Sequence, residues 1–186
     1  MNLSFPPPPP VIWALLLAVV LVAAAYDVRF RRIPNWLTVT GVLAGIGMNT
    51  FLYQGLPGLV FSLKGLGLAF AIYVVLYALH AMGAGDVKLM AAVGAIVGWE
   101  NWFGIFIVTA MVGGVMGLIL VASRGRVRKT LANVGFIFSE MKSGRAAYLA
   151  NEELDVRSKK ALGLAHGAVI AVGSVFFLAL SAHFAQ

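Results

Sequence analysis

Long uncharged apolar runs, most of them close to the length needed to cross a bilayer, dominate this sequence. A helix needs roughly 20 apolar residues to span the hydrocarbon core. Lipid offers no partners for backbone N–H and C=O groups, so such runs fold as helices that satisfy those groups internally. The sequence therefore predicts an all-α, polytopic membrane bundle of about six transmembrane helices, with spans at about residues 10–26, 36–54, 57–80, 87–99, 101–122 and 161–182.

The fourth of these runs is short for a membrane crossing. It carries no charge from Leu89 to Trp99, so we interpret it as a helix whose end is buried in protein or that lies beside a tilted neighbour. The polar pair Glu100-Asn101 follows it and predicts the turn into the next span.

The composition excludes a soluble fold. With 61% hydrophobic and 11% charged residues, a soluble domain of 186 residues would lack the polar surface it needs, so we expect one membrane-embedded domain over residues 1–186. The chain has no cysteine, which excludes disulfides, thiolate nucleophiles and Cys-ligated metals. Its three histidines show no ligand spacing, so neither a metal nor another cofactor is expected.

The basic residues define an orientation. With the N-terminus outside, thirteen of the fourteen Lys and Arg residues fall on one side of the predicted spans, and Lys64 is the exception. The positive-inside rule makes that side cytoplasmic and places both termini outside. Nucleic-acid binding is not expected despite the net charge of +7, because the charges lie beside lipid and lack interleaved aromatic residues.

The longest predicted cytoplasmic segment, residues 123–160, is basic. Part of it places apolar side chains on one helical face, namely Val127, Leu131, Val134, Phe138 and Met141. This pattern is typical of an amphipathic helix on the anionic inner leaflet. The alternative is a docking surface for a basic segment of another polypeptide, either a substrate or an assembly partner.

Two acidic residues occupy unusual positions. Asp27 and Asp86 are the only acids at ends of apolar helices on the predicted inner face, with two spans between them. An ionisable group at a membrane edge is costly and is therefore a functional candidate. Alternatively, Asp86 is the N-cap of the fourth span and Asp27 an interfacial residue beside Arg29.

Paired carboxylates suit peptide hydrolysis. When two carboxyl groups share a proton, the ionised one can take a proton from water while the protonated one polarises a carbonyl. Asp86 lies in the stretch Gly83-Ala-Gly-Asp, and Gly83 and Gly85 lack the Cβ that would keep a substrate backbone away from it. We therefore interpret Asp27 and Asp86 as a candidate catalytic pair.

Three further residues are candidates to support the pair or contact a substrate. Pro34 and Asn35 are predicted to start the second span, with Asn35 as the helix cap, or else to contact substrate directly. Lys88 either biases the ionisation of the carboxylates or marks the membrane interface.

Glycines spaced four apart favour close helix packing, at Gly41/Gly45, Gly94/Gly98, Gly113/Gly117 and Gly163/Gly167.

Two stretches resemble the prepilin peptidases, particularly the small form found with Tad-type pili: YDVRFRRIPNWLT (26–38) and GAGDVKLMAAVG (83–94). The resemblance covers residues 10–122 well and the last span loosely. It implies a membrane aspartic endopeptidase of the bacterial inner membrane that uses Asp27 and Asp86. Its substrates would be prepilins or pseudopilins, whose short basic leader it would remove at the cytoplasmic edge, usually after a glycine.

The sequence departs from that family in two places. Ala165-His166-Gly167 stands where the family commonly carries a Pro-Tyr-Gly type segment. The large prepilin peptidases also have a cysteine-containing cytoplasmic domain and methylate the new amino terminus, and this chain has no cysteine. Methyltransferase activity is therefore not expected.

Other functions remain open. A proton- or cation-coupled transporter can use an acid pair, although such proteins usually place ionisable groups near the bilayer midplane. A structural pilus-assembly subunit would need the bundle but not the glycine-aspartate motif. A presenilin-like or archaeal preflagellin peptidase would share Tyr26-Asp27 and the glycine-aspartate motif, but the Pro-Ala-Leu element of the former is absent from the last span.

Overall fold

A computed structural model describes residues 9–142 and 164–184. Every regular element in these ranges is a helix, and the helices pack into one bundle. The predicted all-α membrane bundle is therefore confirmed. The helices are α1 (Pro10–Phe30), α2 (Asn35–Leu52), α3 (Leu56–Ala78), α4 (Ala84–Ser123), α5 (Val127–Lys142) and α6 (His166–Phe184).

Helix α4 folds back on itself at Gly98. This glycine has φ 75° and ψ 174°, a backbone conformation that costs glycine little and other residues much. Beyond it, Trp102 Nε1 donates to the carbonyl oxygen of Met90 at 3.1 Å, although twelve residues of straight helix would separate them by about 18 Å. We call residues 84–97 the short arm and residues 99–123 the long arm.

The two arms of α4 correspond to the two predicted spans, but the turn between them was predicted in the wrong place. Glu100 and Asn101 are helical, and the chain reverses at Gly98. Every residue from Leu89 to Gly98 is buried. The short arm is therefore the central helix of the bundle, which confirms that its short length goes with burial in protein.

Side chains from two helices satisfy backbone carbonyls that the turn at Gly98 leaves open. Asn49 Nδ2 donates to the carbonyl oxygens of Ala95 at 3.1 Å and Ile96 at 3.0 Å, and Asn101 Nδ2 donates to that of Val97 at 3.4 Å. Unpaired carbonyls at a helix end are costly in a bilayer core. The buried asparagines are thus explained by the break in α4.

The most extensive helix contact lies between α3 and α4, where glycines let the backbones touch. A Cβ at Gly65 of α3 would overlap the carbonyl oxygen of Gly94. In the neighbouring contact between α2 and α4, a Cβ at Gly45 would lie 2.9 Å from the carbonyl oxygen of Ala95. The predicted role of glycines in close packing is confirmed here. No described residue lies within 4 Å of an added Cβ at Gly117, so the predicted role stays a prediction there, and Gly163 lies outside the described residues.

Helices α1, α3, α4 and α6 are each long and apolar enough to cross a membrane, with α4 counted once for both arms. Helix α2 packs beside them against α3 and α4.

The amphipathic helix predicted after the long arm is present as α5, and its Val127, Leu131 and Val134 are exposed. The side chains of Phe138 and Met141, and residues 143–160 of the predicted loop, lie outside the described part of the chain.

Candidate active site

Both aspartates line one cavity of about 500 Å³. The cavity lies where α1 ends and where α2 and α4 begin, and we call this end of the bundle the acid end. Asp27 belongs to the last turn of α1 and Asp86 to the first turn of α4. The remaining lining residues are Arg31, Arg32, Ile33, Pro34, Asn35, Gly83, Ala84, Gly85 and Lys88.

Asp27 is buried, with 8% of its surface exposed, and the start of a distant helix holds it. The backbone N–H of Gly167, in the first turn of α6, donates to Asp27 Oδ2 at 2.7 Å. A helix N-terminus carries free N–H groups and a partial positive charge, so it stabilises an adjacent carboxylate. The carboxyl group of Asp27 is therefore oriented by α6.

The end of α1 positions the chain that follows Asp27. Arg31 adopts a left-handed conformation, with φ 53° and ψ 33°, and its N–H donates to the carbonyl oxygen of Asp27 at 2.9 Å. This turn ends the helix and directs residues 31–34 along the cavity wall. The carboxylate thus sits one turn before a sharp change of direction, at the rim of the bundle.

Asp86 is oriented by its own helix start. It is the third residue of α4, and its Oδ2 accepts the N–H of Gly83 at 3.2 Å. The interpretation of Asp86 as the N-cap is therefore wrong, because Gly83 occupies that position and Asp86 reaches back to it from the first turn. A carboxylate there also interacts favourably with the helix dipole.

The two aspartates are joined at the acid end by two further ionisable side chains. Asp86 interacts electrostatically with Asp27 and with His166, the first residue of α6, and also with Tyr73 of α3, which is almost fully buried. Four helices thus bring ionisable groups to the acid end. A shared site for the two aspartates is what catalysis by a carboxyl pair requires.

The contributions of α3 and α6 to the acid end were not predicted from the sequence. The spacing of the histidines indicated no role for His166, and Gly167 was predicted only to favour helix packing, yet a Cβ on Gly167 would lie 3.0 Å from Asp27 Cβ. The departure from a Pro-Tyr-Gly type segment did direct attention to Ala165-His166-Gly167. Nothing in the sequence, however, pairs Gly167 with an aspartate 140 residues away.

Asn35 and Lys88 join the starts of α2 and α4. Lys88 Nζ donates to Asn35 Oδ1 at 3.0 Å, so the amide bonds the lysine rather than the first turn of its own helix. The prediction that Asn35 caps α2 is wrong: Pro34 is the N-cap residue and Asn35 is the first helical residue. Pro34 does start the helix as predicted, and both residues line the acid cavity.

Gly83 and Gly85 flank the carboxyl group without being required by the packing. A Cβ at Gly83 would meet only Asp86 Oδ2, at 3.2 Å, and one at Gly85 would make an ordinary contact of 3.4 Å with Ile33. Neither glycine has a positive φ. Their proposed role in admitting a substrate stays a prediction.

The family model for the type IV leader peptidase family matches residues 14–118. The match covers more than half of the chain and includes both aspartates. The chain belongs to the type IV leader peptidase family. The predicted resemblance to prepilin peptidases is thereby confirmed.

Curated relatives support this assignment. The chain is 32% identical to a prepilin leader peptidase/N-methyltransferase of Legionella pneumophila over 59% of its own length and 40% of that protein. Proteins of the same name from Myxococcus xanthus and Xanthomonas campestris are 30% and 31% identical, over 50% and 56% of this chain and 30% and 38% of theirs. The chain thus spans well under half of the relatives it matches. No solved structure matches it significantly.

The part that matches the type IV leader peptidase family ends within the long arm of α4. The start of α6 lies outside it, yet supplies the N–H that binds Asp27. In the described ranges, no group of three or more His, Cys, Asp or Glu side chains is placed to hold a metal ion.

Proposed function

We propose that this chain is an aspartic endopeptidase that removes the short basic leader from prepilins or pseudopilins of the Tad (Flp) type. The observation that carries the proposal is the meeting of Asp27 and Asp86 at one cavity. Membership of the type IV leader peptidase family and the names of the curated relatives support prepilins as substrates.

The proposed chemistry needs only the two carboxyl groups and water. The ionised carboxylate takes a proton from a water molecule, whose oxygen adds to the scissile carbonyl carbon while the protonated carboxyl group donates to the carbonyl oxygen. The tetrahedral intermediate collapses as the C–N bond breaks and the leaving nitrogen takes up a proton. No covalent enzyme intermediate is formed.

The proposed location follows from charge. Arg31, Arg32 and Lys88 line the cavity, and the positive-inside rule places such a basic rim in the cytoplasm. A prepilin held in the inner membrane by its apolar segment would present its leader on the same side. The acid end is therefore proposed to be the cytoplasmic edge, with both termini of the chain outside.

The direct test is cleavage of a prepilin by the purified protein in detergent. We expect Asp27→Asn and Asp86→Asn each to lower kcat/KM by about 10³-fold or more, because each removes one acid–base group. Glu100→Gln is the matched control, since Glu100 follows the turn at Gly98, at the other end of the short arm from Asp86. Full processing by either aspartate variant, with helical content unchanged, would refute the proposal.

Two further measurements separate this proposal from its rivals. A transporter would move protons or cations into liposomes in a manner that requires Asp27 and Asp86, and would leave prepilin intact. Activity that survives a chelator would support the metal-free mechanism, whereas activity that is lost to the chelator and restored by a divalent metal would contradict it.

Methyl transfer is proposed to be absent, although the curated relatives are named N-methyltransferases as well as peptidases. The test supplies radiolabelled S-adenosylmethionine during cleavage. Label on the new amino terminus of the processed pilin would show that the expectation is wrong.

A further inference from the structure

A second groove, of about 430 Å³, lies between α2, α3 and α4 next to the acid cavity. Asn35 and Lys88 line both spaces, and the hydrogen bond between them forms the boundary. One continuous surface therefore leads from the two carboxyl groups, past a polar threshold, into an apolar groove. We call this second space the stem groove.

The stem groove follows the axis of α2. Its residues on that helix are Asn35, Thr38, Val39, Val42 and Leu43. Spacings of three, four, seven and eight residues from Asn35 place them on one helical face. At 1.5 Å per residue, this stripe extends about 12 Å from the acid end toward the middle of the bundle.

The cross-section of the groove suits an apolar helix. Its floor consists of small buried side chains, Thr38 and Ala91, with 3% and 7% of their surfaces exposed. Its walls are apolar and open, with Val39, Leu43 and Phe70 exposed by 55%, 65% and 49%. Small residues under a groove let a second helix approach closely in lipid, where van der Waals packing replaces the hydrophobic drive.

We propose that the stem groove holds the first turns of the apolar segment that follows the scissile bond of the substrate. This inference rests on the proposed function. A membrane-anchored substrate must bring one peptide bond to the carboxyl groups while its apolar segment stays in the bilayer. The stem groove starts at the acid cavity and runs into the apolar part of the bundle. An amphipathic or apolar helix laid in it therefore has its end at the carboxyl groups.

Filling the stem groove tests the proposal. Val39→Trp and Leu43→Trp place a bulky ring in the groove away from both aspartates. Val75→Trp is the matched control, because Val75 is also 55% exposed and lies within one turn of the end of α3, outside the groove. Each variant is assayed on an intact prepilin and on a short peptide that ends a few residues after the cleavage site.

We expect the two groove variants to raise KM for the intact prepilin about tenfold or more and to leave kcat/KM for the short peptide within about twofold. Val75→Trp should match the parent on both substrates. Equal losses on both substrates, or no loss on the intact prepilin, would overturn the proposal.

Photocrosslinking gives a readout that does not depend on activity. A benzoylphenylalanine at Leu43 in the Asp86→Asn background should capture the apolar segment of an intact prepilin, and the same probe at Val75 should not. Capture of lipid alone, or of a second copy of this chain, would overturn the proposed occupant. If the probe at Leu43 captures prepilin but the parent protein cleaves none, the proposed occupant of the stem groove stands and the proposed peptidase activity is refuted.

Discussion

Glycines are concentrated both in the seam between α3 and the short arm of α4 and at the acid end, but their surroundings differ. In the seam, a Cβ on Gly65 would overlap the carbonyl oxygen of Gly94 and lie 2.8 Å from the carbonyl carbon of Gly98. All of these contacts are with backbone, which cannot rotate away. The fold itself requires the absence of a side chain there.

At the acid end the glycines that precede Asp86 are not forced by packing. Gly85 would accept a methyl group at an ordinary contact of 3.4 Å with Ile33, whereas at Gly83 the methyl group would lie 3.2 Å from Asp86 Oδ2, which would have to shift slightly. Gly167 lies between these cases, because its Cβ would press on Asp27. The comparison teaches that helix packing requires the glycines in the seam, whereas at the acid end it does not require Gly83 and Gly85, whose predicted role is access to a carboxyl group.

The largest effect is expected in the seam. Gly65→Ala should lower the free energy of unfolding by at least about 3 kcal/mol, because α3 and the short arm must separate to admit the methyl group. Gly67→Ala, two residues along α3 in open space, should instead stabilise by about 0.5–1 kcal/mol. Thermal unfolding in detergent measures both. Equal stability of the two variants would show that the seam is looser than described.

Gly167→Ala should affect activity rather than folding. The added Cβ would lie 3.0 Å from Asp27 Cβ and 3.1 Å from Oδ2, which displaces the carboxyl group from the N–H that holds it. We expect kcat/KM for a prepilin to fall on the order of 100-fold, equivalent to about 2.8 kcal/mol, with an unfolding temperature close to that of the parent. Gly114→Ala, in open space on the long arm, is the control. Undiminished cleavage would mean that α6 does not orient Asp27.

Substitution of Asn49 tests whether its side chain stabilises the turn at the buried end of the short arm. Asn49→Leu keeps the size of the side chain but removes the donor for the carbonyl oxygens of Ala95 and Ile96 and for Ser62 Oγ. A loss of about 2 kcal/mol in unfolding free energy is expected, because buried polar groups are left unpaired. Thr40→Ala on the exposed side of α2 should change it by less than about 0.5 kcal/mol. A similar small change for Asn49→Leu would contradict the capping role.

The helices were predictable from the apolar runs, because a bilayer imposes both a length and internal backbone hydrogen bonding. The position of the turn was not predictable. The polar pair Glu100-Asn101 indicated a turn there, whereas the chain reverses at the positive φ of Gly98, and Asn49 from another helix, together with Asn101, donates to the open carbonyl oxygens. The contact that decides where the chain turns thus comes from a residue distant in sequence.

At the acid end, too, some features were predictable from the sequence and others were not. Counting spans was sufficient to predict that Asp27 and Asp86 lie at the same end of the bundle, where they line one cavity. The role of Gly167 was not predictable, because it acts through a backbone N–H, which almost every residue has, and only the packing of α6 against α1 selects it. Asn35 was assigned to capping because its side chain suits that role, but Lys88 from α4 bonds it instead.

Substitution of Gly85 is expected to change stability least, and it tests directly whether a substrate passes beside Asp86. Gly85→Ala should leave the unfolding temperature within about 2 °C of the parent, because the methyl group makes only a 3.4 Å contact with Ile33 and alanine suits the first turn of a helix. If a substrate backbone passes beside Asp86, the same methyl group occupies its path, and kcat/KM should fall about tenfold, with a larger loss for Gly85→Ser. The control Gly47→Ala, in open space on α2, should change neither the unfolding temperature nor kcat/KM. Full activity of both Gly85 variants would mean that the glycine before Asp86 does not serve substrate access, and that the carboxyl group is approached from the side of Asp27.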